Sequence, residues 1–274
     1  MGKQIIRICL LPEYTGRPDF TVQSLVRGRF VILVDGIAYA LITPINLFFL
    51  LKTGEDNEYP IIFSTIDRLL RVAGILIGII LPAMWLALST FHLNQIPFQL
   101  LATVVQANTG LPIPSALEML IMIGMFELFR EAGLRLPSAL GGTIGVVGGL
   151  IVGDAAIRAG VTSPAMVVII AVSTIATFTL VNQSLLTAVI IVRVIFVLFT
   201  AIFGLFGLFV AIFLLLTYLA NIRVFGVPYM GIAADISWSN FSKTFFRVAQ
   251  KQYSKRPDAL KTQDKTRNKE GKNE

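Results

Sequence analysis

VIFVLFTAIFGLFGLFVAIFLLLTYL, residues 194 to 219, runs for 26 positions without a charge, and a helix of about 20 apolar residues crosses a bilayer's hydrocarbon. It does not stand alone. Residues 72–117, 159–192 and 194–222 contain no Asp, Glu, Lys or Arg. The chain is 55% hydrophobic, only 14% charged and has a mean hydropathy of +0.77, whereas a soluble domain carries about 25% charge. These features exclude an ordinary soluble enzyme and identify an all-α, polytopic helical membrane protein.

Four segments read as full spans: 72–91 (VAGILIGIILPAMWLALSTF), 138–157, 164–182 and 194–219. Pro137, Pro164, Arg193 and Arg223 mark their flanks, and Ser64 with Asp67 forms a candidate N-cap upstream of the first. Two polar segments, 30–51 and 115–129, are open to three readings: full span, broken helix or re-entrant element. Asp35 and Gly36 mark a turn where the first of them breaks. Four complete spans with two irregular segments is the preferred arrangement.

Charge sets the expected orientation. Residues 1–29 carry five Lys and Arg against two acids, and residues 239–274 carry ten against four. Basic residues near span ends stay on the cytoplasmic side, so both termini are expected inside and the number of complete crossings even. The expected organisation is a basic N-terminal arm (1–29), a helical transmembrane domain (30–238) and a basic cytoplasmic tail (239–274), largely disordered and able to meet anionic lipid. No signal-peptide cleavage pattern is present.

No catalytic, nucleotide-binding or metal-ligand motif is present, so no catalytic residue, metal or cofactor is assigned, and no nucleic-acid partner is expected. His92 is the single histidine and Cys9 the single cysteine. Gly141, Gly145, Gly149 and Gly153 recur every fourth residue, a stripe that lets helices pack closely within or between chains. On 115–129, Glu118, Met122, Met125 and Phe129 share a helix face. In an assembly of copies about an axis, Glu118 would attract cations and the methionines would line a constriction. The alternative for Glu118 is an interfacial carboxylate. Glu127 with Arg130, Glu131 with Arg135, and Asp154 with Arg158 have helix ion-pair spacing. Arg158 and Arg193 read as flanking anchors, and Asn182, Gln183 and Ser184 as a loop.

The strings YTGRPD (14–19), LVRGRFVILVDG (25–36), LPAMWLAL (81–88), LPIPSALE (111–118), FELFREAGLRLP (126–137), GLIVGDAA (149–156), AGVTSP (159–164) and FGVPY (225–229) occur in this order. Together they resemble the membrane region of the A subunit of GerA-type spore germinant receptors. The resemblance implies a receptor subunit in the spore inner membrane of an endospore-forming bacterium. It also implies homo-oligomers that work with a transporter-like B subunit and a lipoprotein C subunit to form a nutrient-gated channel for monovalent cations. Such subunits carry a soluble N-terminal domain before this region, so the 1–29 arm is expected to be its remnant. Gly16 and Asp154 depart from the family pattern. A secondary transporter and a truncated, non-conducting scaffold are the alternatives.

Overall fold

The computed structural model describes residues 13–51, 59–135 and 151–230. The chain divides into two compact units: Met1–Ala73 with Thr179–Ala188 and Leu214–Glu274, and Gly74–Phe178 with Val189–Phe213.

The first unit departs from the all-α expectation. An antiparallel sheet is ordered β1 (Glu13–Thr15), β3 (Ala40–Thr43), β2 (Phe30–Ile32), with Glu13 and Val31 both opposite Ile42. The helix α1 (Pro18–Val26) follows β1, with Pro18 in its first turn, where a missing N–H costs nothing. Segment 30–51 is therefore no helical span. Asp35 and Gly36 turn the chain, with the Ile37 amide donating to the Val34 carbonyl, and a single helical turn, α2 (Leu47–Leu50), follows β3. Gly36 has φ +79°, which favours glycine there. Ile42 and Ile45 form the core, beside a buried ion pair of 2.8 Å between Arg29 and Glu13. Arg29 also donates to the Pro44 carbonyl and lies 5.0 Å above the Phe49 ring. Burial raises the Glu13 carboxyl above its ordinary value against the opposing pull of Arg29. A ribbon of β4 (Arg223–Val224) and β5 (Val227–Pro228) turns through Phe225 and Gly226, both at positive φ, and the Tyr229 carbonyl accepts from the Leu47 amide.

Long helices dominate the rest: α3 (Ile61–Thr90), α4 (Phe98–Asn108), α5 (Ser115–Arg135), α6 (151–158), α7 (Pro164–Thr177) and α8 (Gln183–Asn221). Helix α3 starts three residues before Ser64, which is buried within it, so Ser64 and Asp67 do not cap it. Asn182 belongs to no slack loop; its side chain caps α8 by accepting from the Ser184 and Leu185 amides.

Among the described residues two helices, α3 and α8, are long and apolar enough to cross a membrane by length and composition. Helix α7 has 14 residues, about 21 Å by helical rise, short of a crossing. Most of the expected 138–157 span, the 239–274 tail and Cys9 lie outside the described residues.

The 194–219 run is not one straight helix. Gly204 has φ 61° and ψ −142°, a conformation reserved for glycine, and interrupts α8. A methyl group on Gly207 would overlap the carbonyl of Phe199, eight residues earlier. In a straight helix these positions lie about 12 Å apart along the axis. The chain doubles back at Gly204, with the Phe91 ring packed against the turn.

Candidate functional site

Two polar clusters are buried among the apolar helices of the second unit. The first forms where α5 packs against α7. Glu118, on the first turn of α5, is only 2% exposed. Its Oε1 accepts from Thr162 Oγ1 at 2.8 Å, the Ser163 amide at 2.7 Å and Ser163 Oγ at 3.2 Å. Ser163 is also the N-cap of α7, its hydroxyl accepting from the Met166 amide, with Pro164 starting the helix. A carboxylate therefore sits at the positive end of α7, where helix dipole and free amides both favour an anion. The geometry makes an internal latch between two helices.

Arg193 of α8 organises the second cluster, its side chain 1% exposed. One terminal nitrogen contacts Glu127 Oε2 of α5 at 3.3 Å, and the other lies 3.3 Å from Ser173 Oγ and 3.5 Å from Thr174 Oγ1 of α7. Ser173 in turn donates to the Gly78 carbonyl of α3 at 3.0 Å. Arg130 takes the other Glu127 oxygen. Four helices are thus tied at one polar point, and its fixed geometry depends on a close approach: a Cβ on Gly78 would stand 2.7 Å from Thr177 Cγ2.

The structure places the expected residues unevenly. On the Glu118 face, Met122 is fully buried, whereas Met125 and Phe129 are half-buried. The Glu127–Arg130 pair is present, as is Asp154–Arg158 at 2.8 Å on an exposed surface. Glu131 is exposed, and the Arg135 side chain lies outside the described residues. Of the glycine stripe, Gly141, Gly145 and Gly149 are outside them too; Gly153 is buried, and a Cβ on it would meet Val167 of α7 at 3.7 Å. Arg193 is no flanking anchor, since its guanidinium points inward to Glu127, 66 residues away in sequence. Local spacing gives no sign of that pairing. Gly78 was within reach: it follows Gly74 by four residues inside an apolar run, the same small-residue signal as the 141–153 stripe.

The sequence pattern of the Bacillus/Clostridium GerA spore germination protein matches residues 3–259. The chain belongs to the GerA family. Within it, the chain is 45% identical to spore germination protein XA of Bacillus anthracis over 94% of its own length and 52% of that relative. It is 39% identical to spore germination protein GerLA of Bacillus cereus (92% of this chain, 51% of that one). With spore germination protein KA of Bacillus subtilis it shares 37% identity (93% of this chain, 47% of that one). The chain therefore spans about half the length of the curated relatives it matches. No solved structure matches it. These GerA relatives are germination proteins rather than enzymes by name, and the buried clusters of Glu118 and Arg193 lie within the matched region.

Proposed function

We propose that this chain is the membrane region of an A-type germinant-receptor subunit in the spore inner membrane, with both termini cytoplasmic. Copies assemble about an axis and, with transporter-like B and lipoprotein C subunits, release monovalent cations in response to a nutrient. The observation that carries this reading is the family match across residues 3–259. The buried Glu127–Arg193 network supports it, because ionisable groups within apolar helices are expensive and mark ion pathways or the elements that control them. Met125 and Phe129, half-buried on α5, are the positions proposed to line the passage between copies. Glu118 and Met122 of the same stripe face their own protomer and reach a passage only if α5 and α7 part. The Gly141, Gly145, Gly149 and Gly153 stripe is the proposed packing seam.

Spores that lack their own A subunit and carry this chain with cognate B and C partners test the proposal. Nutrient-triggered cation release supports it, and silence with the protein located in the inner membrane counts against it. The interruption of α8 at Gly204 favours a secondary transporter as the second reading, since transporters build sites at broken helices. Concentrative uptake by the purified chain separates the two, because a channel conducts only downhill.

A further inference from the structure

The first unit is built inside out for a domain in water. Its charged side chains turn inward: Glu13 and Arg29 pair in the core, and Arg68 and Arg71 of α3 are buried. Large apolar side chains turn outward. On the β2–β3 hairpin Phe30 and Leu33 are 70% and 75% exposed, and Ile32 and Ile37 are exposed as well. The first turns of α3 repeat the pattern, with Ser64, Arg68 and Arg71 on a buried face while Ile62, Phe63 and Ile66 are exposed. Of the exposed acids, Asp19 is held by Arg17 at 2.9 Å and Asp35 sits at the hairpin turn. Charge inside and apolar surface outside is the arrangement that suits lipid, because an ionisable group at membrane depth turns toward protein.

Two constraints fix the depth. Residues 72–90 of α3 carry no charge and rise about 28 Å, close to the roughly 30 Å of a bilayer's hydrocarbon, so Arg71 marks its edge. Arg71 donates to the Leu51 carbonyl at 2.8 Å, which ties the end of α2, and β3 just before it, to that level. The sheet cannot lie deeper. Strands β1 and β2 are its outer strands, and hydrocarbon offers no hydrogen bonds to an open strand edge. The headgroup zone satisfies both constraints, since it hydrates backbone and still covers apolar side chains.

We propose that the sheet of the first unit is a lipid-contact surface, lying in the headgroup zone with Phe30, Ile32, Leu33 and Ile37 against the acyl chains. Lipid is the occupant rather than a second copy because the same inward-polar pattern runs along α3, which continues from this unit into the charge-free run. Asp35 holds its turn at the level of the headgroups, where a carboxylate stays hydrated. This inference rests on the reading of α3 as a membrane helix and does not depend on ion conduction.

The full chain with Cys9→Ser is placed in phosphatidylcholine nanodiscs and carries one nitroxide, at Leu33→Cys or, on the exposed face of α3 within the charge-free run, at Leu76→Cys. Relaxation by oxygen, which concentrates in lipid, is compared with relaxation by a water-soluble nickel chelate. The Leu76 label is expected to meet oxygen and little nickel. At Leu33 the label is expected to fall between that value and free label in buffer, still favouring oxygen. A Leu33 label that favours nickel while Leu76 favours oxygen overturns the proposal and leaves the membrane helix standing; nickel at both overturns the two together. A Leu33 label shielded from both reagents, or broadened by a neighbouring label, identifies a second copy or another protein and also overturns it. The unaltered chain gives a check free of the label: a lipid-borne diazirine is expected to form adducts within residues 30–37, and adducts confined to the helices would overturn the proposal.

Discussion

Replacing Glu118 by Gln keeps the shape of the side chain and removes its charge, which isolates what the latch at the start of α7 contributes. The Glu118 Oε1 accepts two short bonds, at 2.8 and 2.7 Å, and a longer one at 3.2 Å. A hydrogen bond to a charged acceptor is worth about 1.5–3 kcal/mol and one to a neutral acceptor about 0.5–1.5, so each short bond loses about 1 kcal/mol. The interaction of the charge with the N-terminus of α7 adds about 0.3–1 kcal/mol. The total, about 2–3 kcal/mol, corresponds to opening about 30–150 times more frequent. Hydrogen exchange in nanodiscs reads this at the Ser163 and Met166 amides, where acceleration of that order is expected. Glu118→Ala accelerates exchange further, because the buried Ser163 amide then has no acceptor. Exchange in Glu118→Gln within about threefold of the unaltered chain would refute an ionised latch, since a neutral carboxyl loses little on becoming an amide.

Other perturbations follow from the same geometry. Gly78→Ala forces a methyl into Thr177 and is expected to lower stability by about 1–3 kcal/mol in thermal unfolding. Adding Thr177→Ser, which deletes the opposing methyl, restores it, and failure of that rescue would place the strain elsewhere. Gly204→Ala costs about 1–3 kcal/mol from backbone strain alone, so Phe91→Ala in the same chain recovers only the contact part. The hydrogen bond from Arg17 holds the exposed Asp19 carboxyl below its ordinary value of 3.8. Its contribution to α1 is therefore complete above that value and lost as pH falls through the lower folded one. Exchange protection of α1, corrected for intrinsic rates, is expected to stay level to about pH 5 and drop below about pH 4. In Asp19→Asn that drop disappears.

Much of the helical architecture was legible because long charge-free runs have few ways to satisfy their backbone. The Asp35–Gly36 turn and the Glu127–Arg130 and Asp154–Arg158 pairs were legible because they depend on neighbours within four residues. The strands were not. FVILVDGIAYALIT, residues 30–43, reads as an interrupted apolar span, although two short runs flanking Asp-Gly are also a hairpin signal. Hydropathy alone does not separate the two. The start of α3 was misplaced because Ser64 followed three residues on by Asp67 looks like a cap, yet Ser64 is buried inside the helix. The reversal at Gly204 was hidden because glycine is common in membrane helices, and nothing local separates a tolerated glycine from a turn. Arg193 met Glu127 only through the fold. Glu118 looked like a candidate pore residue because its partners, Thr162 and Ser163, carry no charge that sequence spacing would flag.

The most direct measurement is nutrient-triggered release of monovalent cations from spores that lack their own A-type subunit and carry this chain with B and C partners. Release that follows the nutrient, and that changes when Met125 or Phe129 is replaced at matched protein levels, is the expected result. No release, with the chain present in the spore inner membrane beside its partners, would contradict a conducting role for this region.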